Sequence, residues 1–323
     1  MENHLSIFNW ATNYLNLQGY SVLYSPETVV ETPWSSVFRF STSKGNVYLK
    51  QTAPSLFLEP KIMQLLTELH CGVPIVITIN DELHCFLMKE AGESLREYLK
   101  ADFQPNLLHQ AIKQFTAIQR STENQIEVFF ALGVPDWRLD KLATLYENII
   151  NQTEFLKADG ITDKELKILH DLSPKVLEQC ELLSQYQIPE TLVQPDFNTN
   201  NILFNQNTKD MTLIDLGEIA ITHPFFSLHN FLLQATIHHS VKEQDKLYYQ
   251  LQASCLENWL ELKTKDHLLE AFGLIKKLWP IYSALAYYRL MTSVDLPALN
   301  AYYAHRPNRF AGYFRQYAAS CGF

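Results

Sequence analysis

Between Leu192 and Glu218 the sequence reads LVQPDFNTNNILFNQNTKDMTLIDLGE, and three of its side chains suit phosphoryl transfer. Moving a terminal phosphoryl group asks for little covalent participation and much charge neutralisation and alignment, so metal-holding oxygens matter more than a strong nucleophile. Asp215 offers a hard carboxylate oxygen for Mg²⁺, and Asn201 adds a neutral oxygen without overloading the site with charge. Asp196 can accept a hydrogen bond from a substrate hydroxyl and orient it for in-line attack. An Asp followed five positions later by an Asn is common on its own; its setting gives it weight. The pair lies between an apolar entry, Leu192 and Val193, and the apolar run Ile202, Leu203, Phe204, after which MTLID ends in Asp215. Two short strands joined by a hairpin would put all three side chains at one end. The plainer alternative is a polar turn, an Asn/Asp-rich hairpin and a capping aspartate.

The same segment resembles the catalytic and metal loops of the aminoglycoside phosphotransferase and choline kinase families, which share the protein-kinase-like fold. Their pattern is His-Gly-Asp, four residues, Asn-Ile-Leu, then a strand ending in Asp-x-Gly. Here Gln194-Pro195-Asp196, Asn201-Ile202-Leu203 and Asp215-Leu216-Gly217-Glu218 stand in those places. The resemblance implies that Asp196 is the catalytic aspartate and that Asn201 and Asp215 are metal ligands. It also implies a two-lobed α+β fold. Residues 1–91 would form a small antiparallel-sheet, nucleotide-binding lobe with a hinge at its end, and residues 92–323 a larger, mainly helical lobe with the catalytic and metal loops and the acceptor site.

The elements that must position a nucleotide should then lie upstream in a fixed order. TPWSSVFRFSTSKGNVYLK alternates apolar and polar residues around a Lys44-Gly45-Asn46 turn, as a hairpin does, and its second strand ends in Lys50. By resemblance Lys50 is the phosphate-binding lysine. LFLEPKIMQLLTELH follows with apolar residues at helical spacing (Ile62, Leu65, Leu66, Leu69), and Glu59 near its start would pair with Lys50. Taken singly, a strand-ending lysine is usually solvated and a first-turn glutamate usually serves the helix dipole; their order relative to Asp196, Asn201 and Asp215 favours the site. IVITI and LHCFLMKE read as two further strands, leading into Glu90-Ala91-Gly92, where the family's hinge offers backbone groups to adenine.

This chain also departs from the family pattern. Gln194 and Pro195 replace the histidine and glycine, and the family's Asp-Pro-x-x-Asp-Leu is here His223-Pro224-Phe225-Phe226-Ser227-Leu228. A glutamine can still hydrogen-bond nearby backbone, and a proline stiffens the loop by fixing its own φ. The lost aspartates bear on loop support more than on metal binding. No Gly-x-Gly occurs; the turn between the first two strands would contain Pro33, Trp34, Ser35 and Ser36, whose N–H groups and hydroxyls can cover phosphates. A turn with an aromatic anchor explains the same residues equally well.

Composition sets the remaining bounds. With 323 residues and 47% hydrophobic content the chain can bury a large core in two lobes. Its start reads as an amphipathic helix over about residues 4 to 17 rather than a signal peptide, and no apolar run reaches membrane-spanning length. Five widely spaced cysteines without a Cys-x-x-Cys pair fit a reduced, cytoplasmic protein without a zinc site. A net charge of −9 argues against nucleic-acid binding and leans mildly toward a cationic small molecule, although acidity for solubility is the commoner reason. His238-His239 lacks metal-site spacing and reads as structural. Residues 93 to 190 read as helices with breaks near Pro105, Pro135 and Pro174.

The tail is aromatic: Trp279, Tyr282, Tyr287, Tyr288, Tyr302, Tyr303, Tyr313 and Tyr317. By resemblance, choline kinases hold a quaternary ammonium with aromatic faces and acids, and aminoglycoside enzymes hold polyamines with acidic loops, but aromatics at helical spacing more often fill a core. The leading expectation is an ATP- and Mg²⁺-dependent kinase acting on a hydroxyl of a small-molecule acceptor, with no nucleic-acid or membrane partner. The alternative is a catalytically silent kinase-like binding or regulatory protein, motivated by Gln194-Pro195 and the missing aspartates. Nucleotidyl transfer would reuse the same metal site.

Overall fold

Strict alternation builds the first sheet. Along β2 (Ser35–Thr42) every second residue is buried, Ser36, Phe38, Phe40 and Thr42, and β3 (Gly45–Thr52) buries Val47 and Leu49 on the same period. These faces meet the helix α1 (Leu5–Leu17), whose Ile7, Ala11 and Leu15 recur at four-residue intervals and form one apolar stripe. With β1 (Glu27–Glu31), β4 (Val76–Asn80) and β5 (Cys85–Lys89), β2 and β3 form a five-stranded antiparallel sheet in the order β1-β2-β3-β5-β4. The β2–β3 turn is Ser43-Lys44, since Thr42 pairs with Gly45, one residue earlier than the sequence suggests. β3 also runs two residues past Lys50, because Gln51 still pairs with Cys85. The helix α2 (Glu59–Glu68) connects β3 to β4.

The computed structural model describes residues 4–323. The chain divides into two compact units. One comprises the residues up to Glu93 with Leu203–Gly217 and Leu290–Tyr302; the other comprises Ser94–Ile202, Glu218–Arg289 and Tyr303–Phe323. The first unit thus takes back a later segment, the hairpin that carries Asp215.

After a two-residue strand β6 (Glu93–Ser94), the second unit is mainly helical: α3 (Leu95–Ala101), α4 (Pro105–Thr122), α5 (Ile126–Ala131), α6 (Leu139–Ile150), α7 (Thr153–Ala158), α8 (Asp163–Asp171) and α9 (Ser173–Ser184). Pro105 and Pro174 open α4 and α9 rather than ending helices, which suits a residue with fixed φ and no N–H to satisfy. The strands β7 (Thr191–Val193), β8 (Ile202–Phe204), β9 (Met211–Leu213) and β10 (Ala220–Thr222) follow, with β10 antiparallel to β7. The helices α10 (Phe225–His238), α11 (Lys246–Glu257), α12 (Lys265–Ser293), α13 (Leu296–Tyr302) and α14 (Arg309–Ser320) complete the chain. Among the described residues no helix is long and apolar enough to cross a membrane.

Gly92 shows why the chain needs a glycine where it leaves the first sheet. Its φ is +133°, and a Cβ there would stand 2.6 Å from the Phe204 carbonyl oxygen, so both conformation and space exclude a side chain.

Candidate functional site

The first unit buries a lysine between two carboxylates. Lys50, 5% exposed, places Nζ 2.7 Å from Glu59 Oε2 and 2.8 Å from Asp215 Oδ1. Glu59 is itself 2% exposed, and its Oε1 accepts the Leu216 N–H at 3.1 Å. β3 supplies the lysine, the first turn of α2 the glutamate, and the chain just beyond β9 the aspartate. Burial works against the charge on Lys50, but Asp215 and then Glu59 outweigh it and raise its pKa. Burial pushes Glu59 upward, with Asp215 adding to the effect and Lys50 and the Leu216 N–H opposing it. One ammonium facing two carboxylates leaves an excess of one negative charge, and Asp215 is its exposed edge, with 33% of its side chain accessible.

Asp215 has φ +63°, a left-handed conformation that costs a non-glycine residue of order 1 kcal/mol or more. Such strain persists where the surroundings over-determine the backbone. Here the Leu216 N–H bond to Glu59 and the Leu213 N–H bond to the Gly72 carbonyl (2.8 Å) flank it.

The other nucleotide-site expectations also fall in this unit. The β1–β2 turn is Thr32 to Trp34, and Ser35 and Ser36 are the first residues of β2. Thr32, which the sequence reading did not single out, engages Ser35 on both sides: its Oγ1 accepts the Ser35 N–H, and its own N–H and hydroxyl donate to the Ser35 carbonyl, all at 2.9 to 3.0 Å. Glu90 turns its carboxylate back to the sheet, accepting from Asn46 Nδ2 at 3.0 Å, and Ala91 follows just before Gly92.

The second unit holds the Asp196 loop. Asp196 is exposed while its neighbours are not: Gln194, Phe197, Asn198, Thr199 and Asn201 are all buried. Phe197 anchors the loop by stacking between Phe115 (3.8 Å between centroids) and Phe231 (4.8 Å). Asn201 Nδ2 donates to the Asp196 carbonyl at 2.9 Å and to its Oδ2 at 3.0 Å, which leaves Asn201 Oδ1 at the opposite end of the amide. Asn198 Nδ2 donates to the same carbonyl at 2.8 Å, and Asn198 Oδ1 accepts from the Asn200 N–H and from Arg96 Nη2, both at 2.7 Å. Thr199 Oγ1 lies 2.8 Å from His239 Nε2, and Asn230 Nδ2 donates to the Phe197 carbonyl at 3.2 Å.

The two lost family aspartates have neutral replacements. Ser227 Oγ accepts the Gln194 N–H and donates to the Gln194 carbonyl, each at 2.8 Å, so one hydroxyl bridges both backbone groups two residues before Asp196. Removing it in Ser227→Ala takes both bonds from a fully buried segment, for an expected cost of about 1–3 kcal/mol; urea unfolding of the variant beside wild type measures it.

His223, 1% exposed, accepts the Phe225 N–H on Nδ1 at 3.3 Å and so serves the start of α10 as an acid would. Burial depresses its pKa to about 3, so it is neutral in the fold. A histidine with a depressed folded pKa stabilises fully above the unfolded value near 6.5 and loses that contribution as pH falls, by about 1.4 kcal/mol per unit until the folded pKa is reached. His223→Gln, which cannot protonate, is expected to lose less stability than wild type between pH 7 and 5 when unfolding is measured at both.

The structure therefore assembles the predicted residues as two groups, Lys50–Glu59–Asp215 in one unit and Asp196–Asn201 in the other. Arg96, Asn198, Thr199 and Asn230, which sequence reasoning did not single out, support the loop, together with Ser227 and His239, whose roles it did not foresee. Their signal is weak because Arg96, Ser227, Asn230 and His239 lie far along the chain from the groups they touch. Several tail aromatics are core: Trp279, Tyr282, Tyr287 and Tyr317 are buried.

No protein-family model matches this sequence, and none of the curated protein sequences matches it. Solved structures do resemble it. An ethanolamine kinase from Plasmodium vivax superposes with a TM-score of 0.61 at 13% identity, over 97% of this chain and 86% of that one. The gentamicin complex of the aminoglycoside phosphotransferase APH(2")-IIa gives 0.61 at 16% identity, over 97% of each chain. Macrolide 2'-phosphotransferase type I gives 0.58 at 12% identity, over 93% and 97%. Likeness at such identities speaks to fold, and the chain accordingly has the protein-kinase-like α+β fold, one antiparallel-sheet unit and one mainly helical unit, of the aminoglycoside phosphotransferases and ethanolamine kinase.

Proposed function

We propose that this protein is an ATP- and Mg²⁺-dependent phosphotransferase that phosphorylates a hydroxyl of a small molecule. The observation that carries the reading is Lys50, buried and held between Glu59 and Asp215. A buried ion cluster is a weak source of stability, because desolvation offsets most of the attraction. A site that receives polyphosphate gives such a cluster a use.

The donor set fits a hard cation. Mg²⁺ is commonly held by one or two protein oxygens together with substrate phosphates, not by a full protein cage, and among the described residues no cluster of three or more His, Cys, Asp or Glu forms such a cage. Asp215, at the exposed edge of a group with surplus negative charge, and Asn201 Oδ1, turned away from Asp196, would hold it. Bound there, the ion would neutralise phosphate charge. Lys50 would direct its ammonium at the same phosphates. The Glu90–Ala91 backbone would meet the base. With the Ser35 N–H and carbonyl engaged by Thr32, the Ser35 hydroxyl, on the same face of the sheet as Lys50, is what the start of β2 would offer a phosphate, while Ser36 is buried on the face that meets α1. Asp196 would accept the hydrogen bond of the acceptor hydroxyl and take its proton as the new O–P bond forms and the bond from the γ-phosphorus to the bridging oxygen breaks, releasing ADP. The buried thiols fit a cytoplasmic setting and take no part; burial pushes Cys85 and Cys180 up to about 12.

A silent binding protein remains the second reading because of Gln194-Pro195, and the Ser227 bridge favours the enzyme, since the loop that lost its acids is nonetheless held. The test is incubation with ATP and Mg²⁺ against amino alcohols, aminoglycosides, sugars and nucleosides, read as product mass. A phosphoryl mass gain that Asp215→Asn abolishes supports the proposal; a nucleotidyl gain redirects it; no turnover and no stabilisation by nucleotide rejects it.

A further inference from the structure

The helical unit places an arginine beside Asp196. Arg96, in the first turn of α3, reaches Asn198 at 2.7 Å, and Asn198 in turn holds the Asp196 carbonyl at 2.8 Å. α3 packs directly on the turn Thr199–Asn201. His239, just past α10, touches the same turn through Thr199. Lys100 lies one helical turn beyond Arg96 on α3, and both Lys100 and Arg306 act on His238 through their charge. Glu97 partly offsets it by pairing with Lys100 at 2.7 Å.

Burial lowers the pKa of both histidines, and the neighbouring cations lower it further. His239 is depressed to about 4, first by burial and then by Arg96, His238 and Lys100, and His238 is depressed by burial, Arg96, Lys100 and Arg306. Arg96 keeps its charge against burial with help from Asp196 and Glu97.

The sequence agrees once it is read locally. From Ile219 to Lys242, a stretch that includes α10, there is no Asp or Glu. From Ala271 to Phe323 the chain carries Lys276, Lys277, Arg289, Arg306, Arg309 and Arg315 against the single acid Asp295. A cation-binding site needs carboxylates or open aromatic faces. In the aromatic tail the rings that do face a cation face the chain's own Arg309, whose guanidinium lies 5.0 Å from the Tyr287 ring and 4.6 Å from that of Tyr303, with Nε 3.3 Å from the Tyr313 hydroxyl.

We infer that the acceptor served by Asp196 is an anion, a hydroxyl compound bearing a carboxylate or a phosphate, recognised by Arg96 with Lys100 and Arg306. This rests on the reading of Asp196 as the catalytic base and replaces the cationic acceptor that the net charge of −9 suggested. Arginine and lysine attract and orient oxyanions, arginine in bidentate fashion.

The test compares acceptors matched in size and differing in charge: glycerate and gluconate for carboxylates, glycerol 3-phosphate for phosphates, glycerol and ribose as neutral controls, ethanolamine and kanamycin as cations. Stabilisation by Mg·ADP, measured separately, reports the nucleotide site. The expected result is product from one of the anions at a kcat/KM at least tenfold above its neutral partner. Arg306→Gln and Lys100→Gln, at exposed positions, should raise the acceptor KM about tenfold with kcat and the ATP KM nearly unchanged. Arg96→Lys should keep the preference for the anion and Arg96→Gln should lose it.

Preference for amino alcohols or neutral sugars overturns the inference, as does Mg·ADP binding with no transfer to any anion. A fall in kcat with every acceptor in Arg96→Gln would instead assign Arg96 to the transferred phosphoryl group. Absence of Mg·ADP binding rejects the kinase reading itself, and the acceptor assignment falls with it.

Discussion

Asp196→Asn is expected to lower the rate of phosphoryl transfer by about 10²–10⁴ while Mg·ADP stabilisation stays at the wild-type level, the range that general-base groups contribute. The substitution is nearly isosteric, and the loop does not depend on the carboxylate for its shape. Phe197 is stacked in the core, Ser227 bridges Gln194, and Asn198 and Asn201 both hold the Asp196 carbonyl. What changes is the acceptor capacity of the side chain. In wild type one carboxylate oxygen receives Asn201 Nδ2 at 3.0 Å, and the other is on an exposed group. In the variant the amide oxygen would keep the bond from Asn201, because a second NH₂ there would set donor against donor. The new NH₂ would then face outward, where it can donate to the acceptor hydroxyl but cannot take its proton. Steady-state kinetics with the true acceptor and a nucleotide melt on the same preparation check both halves. Wild-type turnover in the variant would remove Asp196 from the chemistry, and lost nucleotide stabilisation would mean that the loop does more than serve the acceptor.

The parts of the site that sequence made legible are those whose geometry follows from short-range pattern. Alternation from Ser35 to Thr52 specifies the β2–β3 hairpin and hence the face on which Lys50 lies. Apolar spacing after Glu59 specifies α2, and a lysine on an inward face beside a helix start needs a carboxylate. Support of the Asp196 loop was not legible for the opposite reason. Ser227, Arg96 and His239 lie 33, 102 and 40 residues from the groups they touch, and a single hydroxyl or amide at such distances leaves no periodicity to read. His223 and Ser227 looked like losses because they are not acids, yet a neutral acceptor serves a backbone N–H and avoids burying a charge. The acceptor's sign was obscured by averaging. Summed over the whole chain the charge is −9, while Ile219 to Lys242 carries no acid and Ala271 to Phe323 only Asp295. Charge at a site is local, since screening removes most interactions beyond about 10 Å at ordinary ionic strength.

Lys50→Met is expected to destabilise the first unit by about 3–5 kcal/mol near neutral pH and to make its stability depend on pH more steeply than in wild type. Methionine conserves much of the volume, so the cost is electrostatic. It leaves Glu59, 2% exposed, and Asp215 as neighbouring carboxylates without the ammonium that held both within 2.8 Å. In wild type the folded pKa of Lys50 is raised, so its contribution is complete below the unfolded value near 10.5 and is lost only as pH climbs beyond it. Between pH 5 and 8 the lysine adds no slope. Glu59 behaves differently. Burial and Asp215 already push its pKa up while Lys50 opposes them, and removing Lys50 pushes it further. A carboxyl whose folded pKa lies above its unfolded value binds its proton more tightly in the fold, so stability falls as pH rises through that range and returns on acidification. Urea midpoints for Lys50→Met should therefore lie closer to wild type at pH 5 than at pH 8. Lys50→Met/Glu59→Gln, which removes the buried charge, should recover part of the loss at pH 8 yet remain without Mg·ATP stabilisation, because the lysine proposed to meet the phosphates is absent in both. A loss of equal size at both pH values, unrelieved by Glu59→Gln, would assign the effect to packing and take from the Lys50–Glu59–Asp215 group the electrostatic role on which the nucleotide site depends.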